Sequence, residues 1–276
     1  MLNVLLPYPA ALVKAQSTRT LLISDPHIGW ELELQQKGIY VPSQTGKILN
    51  KLVSILLEHQ PDALVILGDV KYSVVSSGFS EWQDIPDFFN KLKSYVSKIS
   101  IVKGNHDANL EPLLPESVEL LPANGVVIED VGVFHGHKWP SPALLACKTL
   151  VMGHLHPMVV FRDPAGCRMT QQVWLRVSVK SEAFARTLLH KSNIKIVGSV
   201  EKTLRKNFGI KLKASELYIM PSFNDFLGGK PLNETKKFGA ESLIGPVLRS
   251  EYVHVDDSEL YLLDGTYIGT LNQLRT

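Results

Sequence analysis

The sequence has little cysteine and no long apolar run, and each lack excludes a class of protein. Its two cysteines, Cys147 and Cys167, form no Cys-x-x-Cys pair, which argues against a disulfide framework and a thiolate zinc site. No apolar run approaches the roughly 18 residues that span a bilayer. The apolar start at residues 4–13 is interrupted by Pro7 and Pro9 and follows no basic residue, so we do not expect a signal peptide. We predict a cytoplasmic protein with no membrane partner.

The chain also lacks an excess of charge of one sign. Its 29 basic and 27 acidic side chains leave a formal charge of +2, so global electrostatics gives no case for nucleic-acid or membrane binding. Any such case must rest on one region of the chain. With 276 residues and 45% apolar content, the chain can bury a substantial core, and we predict a single domain over residues 1–276.

Short apolar runs recur in the first half of the chain, and each ends in a polar or glycine-containing corner. They cover residues 20–24, 63–67, 99–102, 131–134 and 149–152. Such runs are typical of buried strands. Two helical patterns, one containing Leu52 and the other Phe88, separate the first three runs. Alternation of strands and helices predicts a parallel α/β sheet.

After Gly125 the pattern changes to strands only, at residues 126–129, 131–135, 158–162 and 167–174. We therefore predict a second, largely antiparallel sheet, and a two-layered β-sandwich of the α/β (α+β) class flanked by helices. A basic, helical insertion follows at about residues 176–213. The last part, at about residues 214–276, is expected to add a strand and a hairpin that turns at Asp264 and Gly265.

Each corner after the five apolar runs carries side chains of the kind that bind metal ions. They are Asp25 and His27; Asp69; Asn105, His106 and Asp107; His135 and His137; and His154 and His156. Taken singly, each has an ordinary alternative: a turn residue, a helix cap, a loop or a surface histidine. Their conjunction argues otherwise, because six of the nine histidines of the chain stand at these strand ends. Open α/β sheets bind ligands at this position, the carboxyl ends of their strands.

The side chains at these corners suit two divalent ions about 3.5 to 4 Å apart, which need a bridging carboxylate, imidazoles and oxygen donors. Nitrogen-rich ligation without thiolate favours Mn, Fe, Zn, Co or Ni over Mg or Ca. We predict two divalent transition-metal ions, with manganese as the first choice.

The order of these motifs resembles that of the calcineurin-like metallophosphoesterase superfamily. Five motifs carry the resemblance over residues 25–156: Asp-x-His, Gly-Asp, Gly-Asn-His-Asp, His-Gly-His and Gly-His-x-His. Four longer stretches are similar to archaeal phosphoesterases related to the SbcD nuclease subunit. They are Asp25-Pro-His-Ile-Gly-Trp-Glu31, Gly68-Asp-Val-Lys71, Gly153-His-Leu-His-Pro157 and Pro221-Ser-Phe-Asn-Asp-Phe-Leu-Gly-Gly229.

The resemblance implies a role for each corner residue. One ion is expected on Asp25, His27 and His156, the other on Asn105, His135 and His154, with Asp69 between them. His106 is then left for catalysis. Pro26 stands where the family has an aliphatic residue, and because proline only restricts φ, we expect the site to persist.

The mechanism that we expect is hydrolysis of a phosphodiester. A hydroxide between the ions would attack phosphorus while His106 protonates the leaving oxygen. His137 is a candidate for contact with a phosphate oxygen, with a role as an exposed neighbour of His135 as the alternative. Asp107 is a candidate for contact with the substrate or for orienting His106, with turn stabilisation as the alternative.

The basic segment at residues 176–213 has ten basic and two acidic side chains, a local excess of eight positive charges. Within it, Ser199 can cap a helix that ends at Gly209 and has Lys202 on its basic face. This face would guide DNA or RNA to the metals, or is simply solvated. Gly228 and Gly229 are expected to form a turn rather than the rim of the site.

Three functions remain in view: a nuclease or phosphodiesterase acting on nucleic acid or nucleotides, a small-molecule phosphodiesterase or phosphatase, and a non-catalytic scaffold. The first is preferred because of the SbcD-like resemblance and the basic segment. The sequence assigns no oligomeric state and no ATPase partner.

Overall fold

The apolar runs of the first half of the chain form a six-stranded sheet in the computed structural model, which describes residues 1–15, 18–74, 79–229, 231–234, 245–250 and 252–275. In chain order and in spatial order alike, its strands are β1 (Leu2–Leu5), β2 (Ala10–Lys14), β3 (Arg19–Ile23), β4 (Ala63–Ile66), β5 (Lys98–Val102) and β6 (Val118–Leu121). The pairs β1–β2 and β2–β3 are antiparallel, whereas β3 to β6 run parallel. The first three predicted strands are thereby confirmed as parallel neighbours.

Helices cover the outer face of this sheet. They are α1 (Glu31–Gln36), α2 (Thr45–His59) and α3 (Phe79–Leu92). Leu52 of α2 and Phe88 of α3 are buried against Leu21 and Ile23 of β3. The two helical patterns in the sequence are therefore confirmed, because their apolar stripes face the sheet.

A second sheet contains eight strands. They are β7 (Val126–Ile128), β8 (Val131–Phe134), β9 (Thr149–Met152), β10 (Met158–Arg162), β11 (Arg168–Ser178), β12 (Glu216–Ile219), β13 (Glu259–Leu262) and β14 (Tyr267–Thr270). Their spatial order is β14-β13-β11-β12-β9-β8-β7, with β10 beside β11. The prediction of a largely antiparallel sheet is confirmed, although β8, β9 and β12 run parallel to one another. A short 3-10 helix, Pro142–Ala146, makes the crossover between β8 and β9.

The two sheets pack face to face over an apolar core. Leu22 and Val65 of the first sheet meet Val133, Val151 and Trp174 of the second in this core. The neighbours of Leu22 in β3 point to the opposite face, as the two-residue period of a strand requires. The predicted two-layered sandwich with flanking helices is confirmed.

The basic segment folds into two helices, α4 (Ser181–Lys191) and α5 (Val200–Phe208), on the outer face of the second sheet. The predicted caps of α5 are present: the Ser199 hydroxyl accepts a hydrogen bond from the Lys202 amide, and Gly209 is left-handed with φ 68°. Pairing of Ser178 with Glu216, and of Glu216 with Thr149, places both ends of the segment at the amino end of β9.

The end of the chain completes the second sheet. The predicted hairpin turns at Asp264 and Gly265, and its strand β13 pairs with β11. A short helix, α6 (Leu271–Leu274), follows with a capping box at Thr270. The division into one domain with an insertion at residues 176–213 stays a prediction. Among the described residues, no helix is both long and apolar enough to cross a bilayer.

Replacement of Leu22 by Ala tests the inter-sheet core. Leu22 is fully buried, so the cavity left by Leu22→Ala should lower the free energy of unfolding by about 2–5 kcal/mol. The same change at Leu57, which is 61% exposed on α2, should alter it by less than about 0.5 kcal/mol. Urea titration of both variants measures the difference, and equal losses would contradict the assignment of the core.

Candidate metal centre

Parallel strands bring the predicted metal ligands to one edge of the sandwich. The carboxyl ends of β3, β4 and β5 lie side by side, and so do those of β8 and β9. Hydrogen bonds join the two groups: the Leu67 carbonyl accepts from His135 Nδ1 at 2.6 Å, and Asp25 Oδ2 accepts from the His154 amide at 3.0 Å. Corners that are 129 residues apart in the chain therefore share one site.

The carboxylate of Asp25 directs one oxygen to the protein and the other to the site. Oδ2 accepts hydrogen bonds from Ser24 Oγ at 2.6 Å and from the His154 amide. Oδ1 is buried without a hydrogen-bond donor among the described residues, and lies 3.2 Å from His156 Nε2 and 4.0 Å from His27 Nε2. These three atoms form a compact group of metal-type donors.

Asp69 stands between this group and a second one. Its Oδ1 accepts a hydrogen bond from the His106 amide at 2.8 Å, which leaves Oδ2 for the site. Asp69 Oδ2 lies 3.6 Å from His27 Nε2 and 3.4 Å from His135 Nε2. One oxygen therefore faces an imidazole of each group, as a bridging carboxylate requires.

The second group surrounds His135. Its Nε2 lies 3.1 Å from both Asn105 Oδ1 and His154 Nδ1. Because His135 Nδ1 donates to the Leu67 carbonyl, the ring in its neutral form has its lone pair on Nε2, which points into the site. All seven predicted ligands are thus brought together in two groups that share Asp69.

The electrostatic field of the site favours positive charge. Burial lowers the pKa of His135, but the Asp69 and Asp25 carboxylates outweigh burial and raise it to about 9. Burial raises the pKa of Asp69, yet His135 and the other facing imidazoles hold it at about 2. A buried environment that nevertheless stabilises a cation suits a metal ion.

The ligand-bearing corners adopt unusual backbone conformations. Asp25, His27, Asp69, His154 and His156 all have φ between 44° and 67°, and they are five of the nine described non-glycine residues with positive φ. Such residues cost about 1–3 kcal/mol each and cluster at functional sites. Tight packing adds to the constraint, because a Cβ on Gly153 would collide with Ser24 Oγ and Asp25 Oδ2.

His106 and His137 flank the two groups. His106 Nδ1 donates to the Tyr72 carbonyl, and its Nε2 lies 3.9 Å from Asp69 Oδ2. The ring of His137 is half-buried, with its centroid 5.3 Å from that of His135. Burial, followed by the charge of His135, lowers the pKa of His137 to about 4.

The Asp107 carboxylate binds backbone amides of the corners that carry the site. Asp107 is fully buried, and its carboxylate accepts hydrogen bonds from the amides of Asp69, Val70 and Gly104 at 2.7–2.8 Å. These bonds join the corners after β4 and β5. The arrangement favours the turn-stabilising alternative over contact with the substrate.

One part of the site is missing from the sequence-based prediction. Residues 221–229 lie against the corner that follows β3, where Ser222 Oγ donates to the Asp25 carbonyl at 2.8 Å. Gly228 and Gly229 line a cavity of about 380 Å³ together with the ligands His27 and His156. The prediction that this glycine pair lies away from the rim is wrong, because the loop folds back over 70 residues of chain onto His156.

Comparison with known proteins gives the family. The sequence model of the calcineurin-like phosphoesterase family matches residues 18–181, more than half of the chain, so this protein belongs to that family. Its members are hydrolases that act on phosphoester bonds with divalent metals. The match covers every corner described above.

Three solved structures are similar to this chain. The nuclease MPE of Pseudomonas putida is 18% identical, with a TM-score of 0.49 over 92% of this chain and 97% of that one. Yfce, a phosphoesterase from E. coli, is 20% identical, with a TM-score of 0.33 over 52% and 73%. The Aquifex aeolicus protein AQ665, of unknown function, is 21% identical, with a TM-score of 0.35 over 54% and 82%. None of the curated proteins matches the sequence.

The residues present fit divalent metal ions. Four imidazoles, two carboxylates and one amide oxygen converge, and the buried Oδ1 of Asp25, which has no hydrogen-bond partner among the described residues, is placed to bind a cation. The two free cysteines, Cys147 and Cys167, lie outside these groups of candidate metal ligands.

Metal binding should release a proton from His135. The carboxylates keep this imidazole cationic up to about pH 9, and it must be neutral to bind a metal, so affinity should rise with pH up to that value. Calorimetric titration of the metal-free protein with MnCl₂ at about pH 7.5, in two buffers of different ionisation enthalpy, measures the released protons.

Asparagine variants of two histidines test whether the released proton comes from His135. His135→Asn should release fewer protons, whereas His190→Asn, on the exposed side of α4, should match the wild-type protein. Equal proton release by His135→Asn with metal still bound would contradict the assignment.

Proposed function

We propose that this protein is a metal-dependent phosphodiesterase that acts on nucleic acid or nucleotides through a two-metal centre. The observation that carries the proposal is the position of Asp69 Oδ2, within 3.6 Å of one imidazole from each of the two donor groups. Manganese is the proposed ion at both positions. Asp25, His27 and His156 would hold one ion, and Asn105, His135 and His154 the other.

Two bound ions would supply an ionised water as the nucleophile and neutralise the phosphoryl oxygens. Side chains of the protein would supply the proton for the leaving oxygen and orient the substrate. Because His106 Nδ1 donates to Tyr72, Nε2 is directed to the cavity, where it can hold the proton that the leaving oxygen needs. His137 is proposed to contact a phosphate oxygen.

The preference for nucleic acid rests on the resemblance to SbcD-related phosphoesterases and on the basic segment. Lys202, Arg205 and Lys206 are exposed on α5, whereas Arg176 is engaged by Glu216 at 2.9 Å and Glu259 at 3.3 Å. Only part of the segment is therefore available for phosphates. The predicted cytoplasmic location and any ATPase partner stay predictions.

A small-molecule phosphodiesterase or phosphatase is the second candidate. The cavity over the metal ligands, about 380 Å³, is within the range of small-ligand pockets, which favours this alternative. A non-catalytic scaffold is disfavoured because all seven candidate ligands are present and lie close together.

A substrate screen separates these functions. With Mn²⁺ added, we expect hydrolysis of bis-p-nitrophenyl phosphate and of single-stranded oligonucleotides, and loss of both activities with a chelator, because the ions supply the nucleophile. The screen measures released nitrophenolate and strand length. Hydrolysis confined to p-nitrophenyl phosphate, a monoester, would favour the phosphatase, and no metal-dependent hydrolysis at all would favour the scaffold.

The His106→Asn variant tests the proton donor. Its kcat for an unmodified oligonucleotide, whose alkoxide leaving group needs a proton, should fall by about 10²- to 10⁴-fold while the metal content is retained, because the imidazole is replaced by a group that cannot donate its proton. His190→Asn, the same change outside the site, should keep the wild-type kcat. Unchanged turnover by the metal-loaded His106→Asn enzyme would remove His106 from the mechanism.

A further inference from the structure

Two aromatic rings stack on each other close in the chain to the candidate metal centre: Trp30 is three residues after His27, and Phe226 is two residues before Gly228. The rings of Trp30 and Phe226 are 5.7 Å apart between centroids and inclined by only 14°, an offset stack. Phe226 is 43% exposed, so much of its ring faces solvent. We call these two side chains the aromatic platform.

The platform is held in a fixed position relative to the metal ligands. Trp30 follows His27 in a tight turn, in which its amide donates to the His27 carbonyl at 3.3 Å. On the other side, Phe226 precedes Gly228 and Gly229, which line the cavity over the ligands. Neither ring is among the residues that line this cavity, so a strand whose phosphate lies there would have to extend beyond the cavity to reach the platform.

The exposed ring of Phe226 is not needed to anchor its loop. Residues 222–224 already do so, since the Phe223 amide donates to the Ser24 carbonyl at 2.7 Å and Asn224 Nδ2 to the Pro26 carbonyl at 2.9 Å. The side chain of Phe223 is itself fully buried. The Phe226 ring can therefore contact a ligand without releasing the loop from its anchor.

The side chain of Lys47 lies over the Phe226 ring of the platform. Lys47 Nζ lies 5.1 Å from the centroid of the Phe226 ring, and among the described residues no carboxylate lies within ion-pair distance of it. Lys51, one turn further along α2, differs because it is paired with Asp225 at 2.6 Å. Aromatic rings with an unpaired lysine are the elements by which proteins bind single-stranded nucleic acid, stacking the base and neutralising the phosphate.

We infer that the aromatic platform stacks an unpaired nucleobase of a single-stranded nucleic acid outside the cavity that would hold the phosphate to be cleaved, with Lys47 turning from the Phe226 ring to the adjoining phosphate. The inference rests on the proposed phosphodiesterase function and specifies its substrate as an unpaired strand. Stacking tolerates every base, so the platform would select for single strands over duplexes without reading sequence.

Binding of matched strands tests the platform. The metal-loaded protein is titrated, with fluorescence anisotropy as the readout, into a labelled oligothymidylate with nuclease-resistant phosphorothioate links and into an abasic strand of the same length and linkage. The wild-type protein should bind the base-bearing strand about tenfold or more tightly than the abasic one. Phe226→Leu should remove about tenfold of affinity for the base-bearing strand and leave the abasic strand within about twofold.

Two further variants control for loss of structure. Phe226→Tyr keeps a ring and should keep the preference for bases, and Tyr95→Leu, at an aromatic residue that is 44% exposed elsewhere, should change neither affinity. Equal affinity of the wild-type protein for both strands would contradict base stacking on the platform. An equal loss of affinity for both strands in Phe226→Leu would contradict it as well.

Cleavage of the unmodified oligothymidylate, followed in parallel, separates this inference from the proposed function. Base-dependent binding without cleavage would contradict the proposed phosphodiesterase function and support base stacking on the platform. Cleavage without base-dependent binding would contradict base stacking and support the phosphodiesterase function. Absence of both binding preference and cleavage would contradict both proposals.

Discussion

Burial of two carboxylates, those of Asp25 and Asp69, is the constraint on which the site depends. A buried ionised carboxylate costs several kcal/mol unless it is paired or hydrogen-bonded. In each, one oxygen accepts hydrogen bonds from the chain and the other faces imidazole nitrogens. The imidazoles stabilise this negative charge only in part when they are neutral. Divalent cations between these groups would complete the pairing, so metal binding and the stability of this edge of the sandwich are linked.

The rest of the fold holds these groups in place against their own backbone strain. Five left-handed candidate ligand residues are tolerated because the strands that precede them are buried in the cores on both sides of each sheet. Asp107 adds three hydrogen bonds to backbone amides that tie the corners after β4 and β5 together. A site built on the ends of rigid strands keeps its geometry before the substrate arrives, which is what electrostatic catalysis requires.

Much of this arrangement could be predicted from the sequence because the signals are local. Apolar runs mark buried strands, and the residue types at their ends give the seven candidate ligands. Periodicity does not show which strands pair or in what direction, so the parallel run of β8, β9 and β12 inside an antiparallel sheet was not predictable. The loop at residues 221–229 could not be placed either, because its bonds to backbone carbonyls at Asp25 and Pro26 depend on tertiary contact alone. For the same reason, Asp107 could not be assigned to the turn rather than to His106.

A crystal structure of the manganese-loaded protein, with data collected at the manganese absorption edge, tests whether Asp69 is shared by two ions. Two anomalous peaks are expected at the edge of the sandwich, one among Asp25, His27 and His156 and one among Asn105, His135 and His154, with Asp69 Oδ2 in contact with both. A single peak, or two peaks with Asp69 bound to only one of them, would contradict the shared-carboxylate centre from which the function is inferred.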